Sequence, residues 1–181
     1  MSTPTDLAPS ALHPGAASDS SCQAWYENHG RAVYGYLRFH LPSADEAEDL
    51  TADVFLRAVR AERRFDPNRG SARTWLLRIA RNALVDHVRR ERRRQQLPIA
   101  ALRDLHSEAP SPEERLLWEE EVGRLLSAVA ILGARDREII GLRYGSGLDS
   151  REVAELLGVA EAAARTRLWR ALARLREVLR S

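Results

Sequence analysis

Over residues 71–94, SARTWLLRIARNALVDHVRRERRR, the apolar side chains Trp75, Leu76, Ile79, Ala80, Ala83, Leu84 and Val88 return at steps of three and four. That is the period of a helix with one buried stripe. Trp25, Tyr26, Val33, Tyr34 and Leu37 mark an earlier helix over residues 23–39, ended by Pro42. Ser43, with Glu46 three residues on, predicts a capping box that opens a helix running to about Arg64. Val54, Phe55, Ala58 and Val59 face the core on it, and Asp45, Glu48, Asp49 and Asp53 form an acidic face. Further on, Leu116, Leu117, Glu121, Leu125, Ala128, Val129 and Leu132 mark most of a stripe on a helix with Glu113 and Glu114 in its first turn. Residues 135–144 predict another helix, closed by Gly145 and Gly147.

The last segment, SREVAELLGVAEAAARTRLWRALARLREVL, predicts a short helix over 150–157, a tight turn at Gly158 and a longer helix over about 160–179. This is a helix-turn-helix, which places its second helix in the major groove of DNA. Ala164, Leu168, Ala171, Leu172, Leu175 and Leu179 form its buried stripe, and Arg165, Thr166, Arg167, Arg170 and Arg174 face outward.

Between helices the chain carries turn chemistry. Residues 65–72 hold Pro67, Asn68 and Gly70, a loop beside the basic helix. The interval QQLPIAALRDLHSEAPSP has three prolines and no period, which marks a linker. Residues 1–21 are rich in Ser, Pro, Ala and Thr without periodicity. The expectation is an all-α protein with a disordered arm (1–21), a first helical domain (22–95), a linker (96–112) and a second helical domain (113–181).

Charge alters the picture more than composition does. The net charge of the 181-residue chain is only +2, yet it is segregated. Residues 45–53 carry five acids and no base, and residues 57–94 carry thirteen arginines against four acids. A second acidic block over 104–121 precedes a second basic one over 165–180. Two basic blocks separated by an acidic one point to two nucleic-acid contacts joined by a segment that avoids DNA. All 28 basic residues are arginine, whose planar fork of donors suits phosphates and base edges.

With Cys22 as the only cysteine, no internal disulfide and no Cys-based zinc site is possible within one chain. His13, His29, His40, His87 and His106 show no ligand spacing, so no metal and no cofactor is expected. No apolar run is long enough to span a membrane and no secretion signal is visible, which predicts a cytoplasmic protein without membrane contact of its own. No carboxylate cluster or nucleophile–base pair predicts an enzyme.

Residues 45–94, read as DEAEDLTADVFLRAVR, the loop FDPNRGSA and RTWLLRIARNALVDHVRR, closely resemble domain two of the extracytoplasmic-function (ECF) sigma factors of bacterial RNA polymerase, within the sigma-70 superfamily. The resemblance implies that Asp49, Leu50, Thr51, Asp53, Val54, Phe55 and Arg57 dock on the coiled coil of the polymerase's largest subunit. Plain helix-start electrostatics is the competing reading of those acids. It also implies a −10 surface that captures a base flipped from the promoter: Asn68 and Arg69 on the loop, then Arg73, Trp75, Arg78, Asn82, Asp86, Arg89 and Arg90 on the helix. Asn68 is otherwise an ordinary surface-loop residue, and Trp75 is either core or a wedge against the last paired base.

The helix-turn-helix resembles domain four of the same family, which reads the −35 element. Ser150, Arg151, Arg165, Thr166, Arg167, Arg170 and Arg174 would make those contacts, and an Arg-rich face that grips phosphates without specificity is the alternative. Ala162, Ala163 and Ala164 stand where the family commonly has a Gly-Thr-Val-like start. The resemblance further implies that RNA polymerase core (coiled coil and flap), promoter DNA and an anti-sigma factor are the partners. A helix-turn-helix regulator without sigma activity is the rival function.

Overall fold

The structure, a computed structural model, describes residues 14–95 and 113–180, with side chains from residue 23 to 94 and from 121 to 180. The described residues form seven α-helices and no strand: α1 (Pro14–Arg38), α2 (Ala44–Arg60), α3 (Ala72–Gln95), α4 (Glu113–Ile131), α5 (Ala134–Ile140), α6 (Ser150–Leu157) and α7 (Glu161–Arg180). The expected linker, 96–112, and residues 1–13 lie outside the described residues.

The expected arm is helical from Pro14. Proline fits the first turn of a helix, and once the C-terminal part of α1 is docked, each added residue extends a helix without a new nucleation cost. Ser43 caps α2 as expected, its Oγ accepting from the Glu46 N–H at 3.1 Å. Glu46 does not close the box, because its carboxylate lies against His87 Nε2 at 3.3 Å instead. Ser71 caps α3 through the Thr74 N–H at 3.2 Å.

α1, α2 and α3 pack around Val33, Tyr36, Leu37, Val54, Leu76 and Ala80, all fully buried. α4 to α7 pack around Val129, Ile139, Leu142, Leu148, Ala164 and Ala171, each at most 1% exposed. Burying such side chains stabilises each half by ~1.5–3 kcal/mol per large aliphatic. Two positions of the expected stripes lie outside the cores: Val88 is 36% and Leu179 45% exposed. Each sits toward the C-terminal end of its helix.

The helix-turn-helix forms as predicted. Asp149 and Glu152 build a reciprocal capping box for α6, and Gly158 takes the left-handed conformation (φ 65°) that ends it. Arg137 donates to the carbonyls of Ala130 and Leu132 at 2.9 and 3.1 Å, tying α5 to the end of α4. The helix expected over 135–144 changes character midway, α5 widening into one turn of π-helix over Gly141–Gly145.

The two halves touch. α1 lies against that wide turn so closely that the backbones of Gly35 and Gly145 meet, and a Cβ on Gly145 would stand 2.5 Å from the Gly35 carbonyl oxygen. Only glycine permits this approach.

Candidate nucleic-acid interface

α3 presents two surfaces. Its inner stripe holds Leu76, Leu77, Ala80, Ala83 and Leu84 in the core. Arg78, Asn82, Asp86, Arg89 and Arg90 are exposed, Asn82 one turn beyond Arg78, while Arg73 is half-buried. The 66–70 loop packs at the start of this surface. Asp66 accepts from the backbone and side-chain amides of Asn68 at 3.0 and 3.1 Å, so the Asn68 amide is engaged in bracing the turn.

Beneath the loop, Trp75 is half-buried and packs at tilted geometry against Trp25 and Phe65, ring centroids 5.2 Å away. A cleft of about 180 Å³ opens above this cluster, lined by Arg64, Phe65, Arg69, Thr74, Trp75 and Arg78. Cations around an aromatic floor suit a base with its phosphates. Asn82 lies on α3 outside that lining.

Asp86 sits apart from this cleft. It accepts from Arg57 at 2.9 Å, and Arg57 also reaches Asp53 at 2.9 Å. The Arg57–Asp86 hydrogen bond is the main reason that Arg57 is raised above its ordinary value and Asp86 lowered below the usual carboxylate range. Asp86 therefore joins the α2 surface electrostatically and gives α3 no donor toward DNA.

On α2, Leu50, Thr51, Val54 and Phe55 are buried at 4% exposure or less, with Thr51 donating to the Ala47 carbonyl at 2.6 Å. They hold the helix from within. The outer face consists of Asp49, Asp53, Arg57 and Leu56, the last 56% exposed. Leu56 was not singled out by sequence. A third apolar residue directly after the buried pair Val54–Phe55 was the available signal, since three consecutive helical positions cannot all face inward.

On α7, Arg165, Thr166, Arg170 and Arg174 are exposed and Arg167 is half-buried. A groove lined by Arg135, Ala162, Ala163, Thr166, Arg167 and Arg170 runs alongside. Arg165 is held by Glu161 at 2.6 Å and Arg174 by Asp136 at 2.6 Å. Trp169 stands out at 68% exposure in the same row as Arg165. Arg135 and Trp169 are additions that the sequence reading omitted. Ser150 is half-buried and Arg151 exposed at the start of α6.

The first half's basic face meets the second half's acids. Arg73 Nη2 contacts both carboxylate oxygens of Glu152 at 2.6 and 2.7 Å. Arg78 reaches Glu155 at 3.4 Å, and Arg81 Nε donates to Glu138 at 2.7 Å. Tyr36 donates to the same Glu138 at 3.2 Å, and burial followed by this carboxylate pushes its hydroxyl well above its ordinary value.

An arginine-lined aromatic cleft on one helical module and a helix-turn-helix on the other define a two-module protein directed at nucleic acid. Residues 25–94 match the family Sigma-70 region 2, and residues 123–175 match Sigma-70, region 4. The chain is 35% identical over 159 residues to RNA polymerase sigma factor CnrH of Cupriavidus metallidurans, covering 83% of this chain and 82% of that one. It is 32% identical over 154 residues to ECF RNA polymerase sigma factor BldN of Streptomyces coelicolor, where the match spans 85% of this chain and 58% of the relative. The solved structure of CnrH in complex with the cytosolic domain of CnrY superposes with a TM-score of 0.66 at 25% identity, covering 91% of this chain and 93% of the other. The chain belongs to the ECF sigma factors of bacterial RNA polymerase, a family of non-enzymatic transcription initiation factors. Among the described residues no helix is long and apolar enough to cross a membrane.

Proposed function

We propose that this chain binds RNA polymerase core through the outer face of α2 and directs it to promoters, α7 reading the −35 duplex and the α3 cleft holding an unpaired −10 base. The single observation that supports this most is the cleft of arginines over the Trp25–Phe65–Trp75 cluster. It combines cations for phosphates with a half-buried aromatic surface for a base. Captured bases stabilise the melted state by ~1–3 kcal/mol each, so opening needs no ATP.

On this reading Asp49, Asp53, Leu56 and Arg57 meet the polymerase, while Leu50, Thr51, Val54 and Phe55 shape that helix from inside. Arg69, Arg73, Arg78, Asn82, Arg89 and Arg90 serve the −10 strand, and Asn68 holds the loop in place. Arg165, Thr166, Arg167, Arg170 and Arg174 serve the −35 element, with Ser150 and Arg151 at the α6 start contacting phosphates. The protein works in the cytoplasm and is held in check by an anti-sigma factor; the relative CnrH is solved in complex with the cytosolic domain of CnrY.

Run-off transcription with purified core polymerase on genomic fragments tests the proposal. Discrete start sites that need this chain are expected. Core polymerase that gives the same transcripts with and without it would refute the reading.

A further inference from the structure

Two buried polar side-chain atoms have no partner among the described residues, His40 Nε2 and Arg137 Nε. Native interiors leave few such atoms, because an unpaired buried donor or acceptor forfeits its hydration without compensation. Both belong to residues that line one pocket of about 350 Å³. Phe39, Leu41 and Pro42, at the end of α1 and in the turn after it, form one wall, and Gly123 and Leu126 of α4 lie in the other.

The two atoms are chemically complementary. His40 Nδ1 meets the Tyr36 carbonyl at 2.8 Å, and a carbonyl only accepts, so Nδ1 holds the ring proton. Burial keeps the imidazole below its ordinary value, which leaves the ring neutral and Nε2 an acceptor. The ring lies against the Gly141 backbone, where a Cβ would stand 2.8 Å from its Cε1. Arg137 is anchored as well: its Nη2 donates to the Ala130 and Leu132 carbonyls, and its Nε–H remains as a donor. A hydroxyl answers both atoms, donating to His40 and accepting from Arg137.

Charge adds a second requirement. The lining holds Arg38 and Arg137 and no carboxylate. Glu138, which acts on His40 electrostatically, is engaged by Arg81 and Tyr36. Two guanidinium groups without an acid in the same pocket favour an anion. Size excludes a single water as the occupant, since the pocket is roughly ten times a water's share of liquid volume and within the range of small-molecule sites. Phe39, Leu41 and Leu126 supply the apolar surface that such sites offer a carbon skeleton.

We propose that this pocket binds a small hydroxylated organic acid, its hydroxyl set between His40 and Arg137, its carboxylate beside Arg38 and its carbon body against Phe39, Leu41 and Leu126. Because the walls come from α1 in the first half and from α4 and α5 in the second, the ligand also stabilises the packing of one half on the other. The site is independent of the promoter-binding roles given to α3 and α7.

Isothermal titration calorimetry of the full chain with 3- and 4-hydroxybenzoate tests the site. At least one isomer should bind with a Kd of about 1 mM or tighter, in keeping with its roughly ten non-hydrogen atoms. Benzoate, which lacks the hydroxyl, and 4-methylphenol, which lacks the carboxylate, should each bind about 10-fold more weakly or worse. Gly123→Leu fills the pocket: a Cβ there meets nothing within 4 Å, and leucine favours the helix over glycine. That variant should keep or raise the melting temperature of the free protein while losing the binding heat. No heat from either isomer up to about 10 mM would overturn the site and leave water as its occupant. Benzoate binding as tightly as the hydroxylated acids would overturn the His40–Arg137 pairing, and binding that survives Gly123→Leu would overturn the location.

Discussion

Gly35→Ala places two effects of opposite sign in one methyl group. Gly35 lies in the interior of α1, where alanine favours the helix by about 0.5–1 kcal/mol over glycine. The same Cβ would run into the Gly145 carbonyl oxygen, and the reverse approach, from a Cβ on Gly145, is 2.5 Å to the Gly35 oxygen and 2.8 Å to its carbon. Both obstacles are backbone, so relief requires the halves to part by more than about 0.9 Å, which is the shortfall from an ordinary C···O contact of ~3.4 Å for the longer, reverse approach. That displacement carries the Arg73–Glu152 and Arg81–Glu138 contacts, now 2.6 and 2.7 Å, to the outer edge of hydrogen-bond range. Their side chains are 25–34% exposed, and each such pair contributes ~0.2–1 kcal/mol. With the weaker Arg78–Glu155 pair included, closure should lose roughly 1–3 kcal/mol, or about 5- to 150-fold in the closed-to-open ratio. Small-angle scattering should show a radius of gyration several ångström larger, while thermal melting of the first half is unchanged or higher. A variant as compact as the wild type would refute the claim that the glycine contact sets the closed geometry.

The remaining predictions touch each surface in turn. Leu56→Asp, on the exposed face of α2, should weaken binding to core polymerase while shifting stability by no more than about 0.5 kcal/mol; unchanged binding in a folded variant would remove α2 from the docking surface. Alanine at Arg165, Arg167 or Arg170 should lower the slope of log affinity against log salt by roughly 0.9 for each phosphate contact, or cost about 1–3 kcal/mol at one base position for each base contact. Wild-type binding by all three would show that α7 is not the reader. His40 is held below its ordinary 6.5, first by burial, although its Nδ1 meets the Tyr36 carbonyl and Glu138 opposes the shift, with Arg137 and Arg81 nearby. The folded protein thus binds fewer protons there than the unfolded chain, so His40 stabilises the fold fully above about pH 6.5, and that contribution is lost as pH falls through its lowered value. The melting temperature should fall on acidification in the wild type and less so in His40→Gln; identical pH dependences would refute it.

Where a feature is local, the sequence carried it. Ser43 and Gly158 each act on backbone groups within a few residues, and the three-and-four spacing of Leu76, Ala80 and Leu84 needs no partner to be read. The site was legible in part for the same reason, since Arg78 and the α7 arginines lie on faces that periodicity alone leaves outward, and Arg69 lies in a loop that turn chemistry marks. What escaped depends on groups distant in sequence. Asp86 belongs with Arg57, 29 residues away, and Arg73 with Glu152, 79 residues away. The Gly35–Gly145 approach has no periodic signature at all. Leu50, Thr51, Val54 and Phe55 were drawn into the docking set because their segment matched as a whole, although Val54 and Phe55 also lay on the stripe that the same spacing buries.

The central claim, that the α3 surface captures a melted −10 strand for the polymerase, is tested most directly by permanganate footprinting of −10 thymines in holoenzyme complexes on a promoter recovered by run-off transcription. The wild-type chain should make those thymines reactive. Asn82→Ala, at an exposed site on that surface, should keep core binding, −35 binding and melting temperature while losing much of that reactivity. Full thymine reactivity with Asn82→Ala and with Arg78→Ala would contradict the account.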